Sequence, residues 1–381
     1  MFGGSTSSLL TLLNKINYEK YDVTLCLYEK GDLIDKVNKK VKIVYAKDKK
    51  INRIHMFLYS IYTFRLFILL FKVLFSKTKN KINHIKVGLT QIGAKYRAKK
   101  SKQVDTNYDY IIGYLEFWAN EYASLQNKFT KKIYWIHSDY LKSNMNYLFD
   151  KKKFDNAYKI VFVADECVSN FNLLTNNKYI NKTIKIENMF DMDYIKLKSK
   201  ETIDDYKFLE ELTFVSPMRM EYYTKGLDRC ILVAQELKNR HINFKWIFIG
   251  DGIDLKKFEL EIKKNNLENY VICLGKKQNP YKYMRHAQAI IMLSRYEGKP
   301  MVVREAQILE KTCIVTNYSS ANSQIENMKT GLICDNDDLF SKNQVVEYLL
   351  DNKLIRQIEN NLKKIDFSNT QEIKKIDKLL S

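Results

Sequence analysis

Short apolar runs and amphipathic stretches alternate along the whole chain. YDVTLCLYEKG, VKIVYA, YDYIIGYLEFWANEYASL, KKIYWIHSDY and YKIVFVADECVSNF follow one another in the first half. Their β-branched and aromatic residues, bounded by polar punctuation, predict strands separated by helices. The second half keeps the rhythm: LTFVSP, the helical GLDRCILVAQELKNR, KWIFIGDG, YVICLG, and IIMLSRY (290–296), which runs into the helical KPMVVREAQILEK. Such alternation predicts an α/β chain with doubly wound parallel sheets.

Chemistry-bearing residues gather at the ends of these runs. Glu297 and Glu305 stand eight apart. Glu297 is predicted at the carboxyl end of a strand and Glu305 on the second turn of the following helix, so both face one crevice, where open α/β sheets bind ligands. Pro300 falls early in that helix, where its missing N–H costs nothing. The first helical N–H groups, around Gly298 to Met301, carry the positive end of the dipole and favour anionic groups. Arg219 and Lys225, six apart after LTFVSP, offer a planar fork and a mobile point charge to a diphosphate. Carboxylates for sugar hydroxyls beside cations for a diphosphate predict a sugar-nucleotide site. Gly250-Asp251-Gly252 predicts a tight turn after a strand. In GGSTSSLLTLLNKI (3–16), a Gly-rich turn leads into an amphipathic helix whose free N–H groups can meet an anion.

In this order, Arg219, Lys225-Gly226, Gly250-Asp251-Gly252, Glu297-Gly298-Lys299-Pro300 and Glu305-Ala306 make residues 212–335 resemble the carboxyl-terminal domain of a family-four, GT-B-fold glycosyltransferase of the bacterial capsule and lipopolysaccharide type. The resemblance implies two Rossmann-like domains whose parallel sheets face across a central cleft. Residues 1–190 would form the acceptor domain and 191–365 the donor domain, with 366–381 a helix returning to the first. Glu297 would contact the donor sugar, Glu305 the ribose hydroxyls, and Arg219 with Lys225 the diphosphate. Gly3 and Gly4 in the first loop, and Gly250, Gly298, Lys299 and Pro300 in the second half, would complete the donor site. His137, closing IYWIH, would touch the donor sugar. The implied activity is retaining hexosyl transfer from a UDP- or GDP-sugar to a glycan or polyprenyl-linked acceptor, with no cofactor and no metal. A non-catalytic GT-B subunit of a glycosylation complex is the alternative, and it would be expected to have lost some of Arg219, Lys225, Glu297 and Glu305. All four are present.

Two departures from the family pattern stand out. Only Met1 and Phe2 precede Gly3, where the family has an apolar strand, so the central strand of the first domain is expected to be missing. Met218 precedes Arg219 where a small residue is usual, and is expected to narrow the room beside the phosphates. Tyr222, Tyr223, Lys276, Lys277 and Arg295 are candidates for selecting base and sugar. Asp191-Met192-Asp193 has a metal-binding look but lies in the interdomain stretch, where a helix cap is the better reading.

Composition adds a partner. At 381 residues with 45% hydrophobic positions, 3 Pro and 12 Gly, the chain suits two globular domains and argues against disorder. Six scattered cysteines, with no Cys-x-x-Cys pair, imply neither a disulfide frame nor a zinc site. The formal charge of +20 comes with no nucleic-acid motif, so nucleic acid is not the expected partner. IHMFLYSIYTFRLFILLFKVLFSKTKNK (54–81) predicts instead a helix lying in the headgroup plane of an anionic membrane, with Arg65 and Lys72 on one stripe. A spanning helix would place Arg65 near the bilayer centre at a cost of roughly 2.5–3.5 kcal/mol. The competing readings are a buried helix of the first domain and, for the charge, a solvated surface. No cleavable signal peptide is visible, so the expected place is cytoplasmic, peripheral on the inner face of the plasma membrane.

Overall fold

The computed structural model describes the chain apart from residues 1–3, 32, 48–52, 75–80, 105–106, 128–129 and 209–211. Two compact units result, one of residues 1–189 with 370–381 and one of 190–369. The terminal helix Gln371–Leu379 therefore belongs to the first unit, where Ile376 and Leu379 pack with Leu12, Trp135 and Val161.

Among the described residues the first unit contains six strands: β1 (Thr24–Leu27), β2 (Lys42–Tyr45), β3 (Tyr110–Gly113), β4 (Lys131–Ile136), β5 (Lys159–Phe162) and β6 (Thr183–Lys185). All pair in parallel, but in two sheets, β1-β2 and β3-β4-β5-β6. β4, five of whose six residues are buried, is the apolar centre of the larger sheet. β1 and β3 are mostly half-buried, as suits strands with one open edge. Among the described residues no strand joins them, so the single doubly wound sheet expected here is split.

Among the described residues the second unit holds one six-stranded parallel sheet, built from β7 (Leu212–Pro217), β8 (Phe244–Ile249), β9 (Val271–Cys273), β10 (Ala289–Met292), β11 (Thr312–Thr316) and β12 (Leu332–Cys334). Its order is β12-β11-β10-β7-β8-β9. The chain winds outward from β7 to β9, then restarts beside β7 with β10 and winds the other way, so the topological switch lies between β7 and β10. In β7, β8, β10 and β11 nearly every residue is buried, which explains why these strands read as continuous apolar runs. One polar thread crosses the core: Trp246 Nε1 donates to Ser216 Oγ (2.8 Å), which donates to the Ile291 carbonyl (2.7 Å). It ties β8, β7 and β10, the strands whose loops carry the candidate site.

Candidate active site

The switch point gathers the predicted residues of the second unit. Arg219 follows β7 and is exposed at the carboxyl edge of the sheet. Lys225 ends the short helix Tyr222–Lys225, and Gly226 turns the chain into the helix Leu227–Asn239 at φ 65°. A Cβ on Gly226 would lie 2.2 Å from the Leu293 carbonyl oxygen. Only glycine permits both the left-handed turn and this approach of the helix to the end of β10. The approach brings Lys225 Nζ to 2.5 Å from Glu297 Oε1, which also accepts from Ser294 Oγ at 2.7 Å. Gly250, after β8, solves a similar problem, because a Cβ there would meet the Met218 carbonyl at 1.8 Å. Asp254 then accepts from the Tyr222 amide (2.9 Å), closing the start of the short helix.

Gly298, Lys299 and Pro300 are buried and lead into the helix Met301–Ile308. Pro300 is the N-cap, at φ −65°, one position earlier than the first helical residue. Glu305, on the second turn, is 6% exposed, and Tyr281 Oη donates to its Oε1 at 3.2 Å. Burial pushes the Glu305 carboxyl up to about 7, against a partial offset from the Tyr281 hydrogen bond. A buried carboxylate with one tyrosine donor can still take ligand hydroxyls in place of water.

The remaining expected residues lie in the first unit. Gly4 opens the helix Gly4–Lys15, while Gly3 lies outside the described residues. Ser8 of this helix is 3.0 Å from Tyr114 Oη and accepts from the Met189 amide at 2.9 Å, anchoring the helix start at the carboxyl edge of β3 and β6. His137 directly follows β4, and its Nε2 lies 2.9 Å from the Tyr114 carbonyl. A carbonyl can only accept, so the proton sits on Nε2 and Nδ1 keeps its lone pair. Desolvation lowers the pKa of His137, opposed by the charge of Glu116, which on balance favours the neutral ring. Glu116 accepts from the Ser138 amide and hydroxyl at 2.6 and 2.8 Å. The next residue, Phe117, holds φ 65° and ψ −117°, a region that bulky residues avoid and that concentrates at functional segments.

Several expectations need correction. Arg295 does not stand free to select a base: it forms a two-pronged pair with Asp228 (2.9 and 2.6 Å) and reaches Asp338 at 3.1 Å. Asp338 also meets buried Arg229 at 2.5 Å, and Arg229 Nη1 donates to the Leu293 carbonyl at 3.2 Å. This cluster clamps the Glu297 loop to two helix starts. Lys277 is paired with Asp205 at 2.6 Å. Met218 is buried and packs into the core of the second unit. The helix cap expected at Asp191 is found as expected: Asp191 precedes Met192–Ser199 and accepts from the Tyr194 amide at 2.9 Å. The aromatic segment is two helices, not one: Arg53–Tyr62 and Arg65–Leu74 meet at 75°. Arg65 turns inward, donating to the Phe149 carbonyl at 2.9 Å, so it offers no charge to lipid. The side chain of Lys72 and residues 75–80, with their lysines, lie outside the described residues. Sequence reasoning missed Ser294, Tyr281 and the Asp228-Asp338 clamp. Only Ser294, three before Glu297, had a short-range signal.

Residues 199–365 match the family model of glycosyl transferases group 1. An uncharacterized glycosyltransferase of Methanocaldococcus jannaschii is 28% identical over 210 residues, covering 51% of this chain and 50% of that protein. The N-acetylgalactosamine-N,N'-diacetylbacillosaminyl-diphospho-undecaprenol 4-alpha-N-acetylgalactosaminyltransferase of Campylobacter jejuni is 26% identical, covering 58% of this chain and 60% of that protein. The chain thus spans 50 to 60% of the length of these curated relatives. Among solved structures, Anabaena HepE, in complex with UDP and glucose, superposes with a TM-score of 0.68 at 14% identity, covering 99% of this chain and 96% of that one. The fold is that of the GT-B glycosyltransferases.

Proposed function

We propose that this chain, whose residues 199–365 match the glycosyl transferases group 1 family model, transfers a hexosyl group, with retention of configuration, from a nucleoside-diphosphate sugar to a glycan or polyprenyl-linked acceptor in cell-surface polysaccharide assembly. The observation that carries the reading is the contact of Lys225 with Glu297 at the β7/β10 switch point, with exposed Arg219 following β7 and buried Glu305 on the helix that follows β10. UDP is the favoured leaving group, since HepE was solved with UDP and glucose. The name of the Campylobacter relative, a transferase acting on a diphospho-undecaprenol glycan, supports a lipid-linked acceptor.

Breaking a sugar–phosphate bond builds negative charge on the departing diphosphate. Arg219, Lys225 and the N-terminus of Met301–Ile308 neutralise it, as fixed charges and dipoles that need no reorganisation. In the unliganded chain Lys225 is held by Glu297. An arriving diphosphate competes for the ammonium and frees the Glu297 carboxylate for sugar hydroxyls. Glu305 takes the ribose hydroxyls, as in the family it resembles. The diphosphate charge is carried by the protein, with no metal assigned, and the site of action is the cytoplasmic side of the plasma membrane.

Thermal-shift and product assays with UDP, GDP and their sugars test the proposal, with Lys225→Ala and Glu305→Ala as controls. Stabilisation by one nucleotide that is lost in both variants is expected. Unchanged nucleotide binding in both would disconnect this site from the donor.

A further inference from the structure

The two helices Arg53–Tyr62 and Arg65–Leu74 present an exposed apolar face. Between residues 54 and 71, eight large apolar side chains are exposed, among them Phe57, Leu58, Tyr62, Phe64, Phe67 and Phe71. The inward side is as well defined. Ser60, Arg65 and Leu69 are buried, Leu69 packs with Ile92 and Phe149, and a Cβ at Gly88 would lie 2.3 Å from a Leu69 methyl. The pair is thus seated firmly on the helix Lys81–Lys100 with its aromatic side outward. Soluble chains seldom expose so much contiguous apolar surface without a partner.

The bend is also unusual. Phe64 sits at its apex with φ 54°, a left-handed conformation that costs a bulky residue energy. The Phe64 carbonyl accepts from the Ile68 amide at 3.0 Å, starting the second helix. The strained residue leaves its ring 69% exposed, with the Phe67 ring 6.0 Å away.

Charge decides the occupant. From residue 49 to residue 104 the sequence holds 14 lysines and arginines and no aspartate or glutamate. Lys86, Arg97, Lys99 and Lys100 are exposed on the helix beneath the pair. A second copy of the chain would bring the same cations against this face and be repelled. Among the described residues no single helix is long and apolar enough to cross a membrane, and the inward Arg65 pins the bend to the protein. We propose that the bent pair is an interfacial docking surface for an anionic lipid bilayer, with the rings of Phe57, Phe64 and Phe67 entering the acyl boundary and the flanking cations meeting lipid phosphates. This differs from a flat amphipathic helix, because the Phe64 apex is a wedge and Arg65 is a structural pin.

Docking is read without donor or acceptor, so its outcome is separate from that of the transfer reaction. The test is co-sedimentation of the whole chain with phosphatidylcholine vesicles, with and without about 30 mol% phosphatidylglycerol, at low and high salt. Binding to the anionic vesicles alone, weakened by salt, is expected. The variant carrying Phe57→Gln, Phe64→Asn and Phe67→Gln should lose at least about tenfold in vesicle partition while keeping the melting temperature and the nucleotide-induced thermal shift. No binding by the native chain, or undiminished binding by the variant, overturns the proposal. So does a concentration-dependent dimer that the same substitutions abolish, since that gives the face to a second copy.

Discussion

Replacing Glu305 by glutamine should stabilise the unliganded protein in a pH-dependent way while weakening donor binding. The carboxyl is buried and its pKa is pushed from 4.5 to about 7, chiefly by desolvation. Below pH 4.5 the group is protonated whether the chain is folded or not, and its burial adds no ionisation cost. Between 4.5 and 7 the folded state holds the proton more tightly than the unfolded state, so stability falls as pH rises, and the loss is complete above 7. The gap, at about 1.4 kcal/mol per pH unit, amounts to about 3 kcal/mol as an upper figure. Glu305→Gln is neutral at every pH and can keep the acceptor for the Tyr281 hydroxyl. The variant should therefore match the native chain near pH 4.5 and gain progressively up to pH 8.5. For a unit of this size each kcal/mol moves the melting temperature by about 2–4 °C, so a gain of roughly 6–12 °C is expected at pH 8.5. Differential scanning calorimetry of both proteins across that range, without nucleotide, makes the measurement. A difference that stays constant with pH would refute the reasoning, because it would mean that the native carboxylate carries no desolvation cost. The same variant should lose most of the thermal shift given by the cognate nucleotide, a case of stability held back for function.

Other perturbations have equally definite outcomes. Lys225→Ala should lower kcat/KM by roughly 10²-fold, the scale for removing one fixed charge donor to a developing anion, measured by product formation at subsaturating donor. Transfer should persist in excess EDTA, since Arg219, Lys225 and a helix N-terminus carry the diphosphate charge; complete loss restored by magnesium would overturn that assignment. Arg295→Ala should destabilise the second unit by about 1–3 kcal/mol, because Asp228 and Asp338 lose their shared partner, and Arg295→Lys should not restore it, a point charge being unable to replace the fork. Tyr281→Phe removes a hydrogen bond that holds the Glu305 pKa down, so the pH below which nucleotide affinity changes should move upward in a titration followed by calorimetry.

The candidate site was legible where its parts are local. Glu297, Gly298, Lys299 and Pro300 are consecutive, Glu305 lies on the helix they start, and Arg219 to Gly226 form one strand-to-helix turn. A strand period followed by a helix period fixes which end of the sheet such residues occupy, so their common edge could be read from pattern alone. The buried parallel strands of the second unit were legible for a similar reason, since burial on both faces demands unbroken apolar runs. The cations were harder to sort. Arg219 and Arg295 look alike in sequence, yet one is exposed at the switch point and the other is spent between Asp228 and Asp338. Nothing local announces a partner 43 or 67 positions away.

By itself, then, the sequence determined the α/β alternation, the order of site residues along the strands, and the acid-free basic stretch between 49 and 104, because each is written in neighbouring residues. Tertiary structure alone decided that Lys225 meets Glu297, that Glu305 is buried deeply enough to shift its titration, and that the aromatic segment breaks at Phe64 with Arg65 turned in. These depend on which atoms lie close after the chain has doubled back. Desolvation, charge pairing and close backbone approach are set by distance in space, and separation along the chain does not encode them.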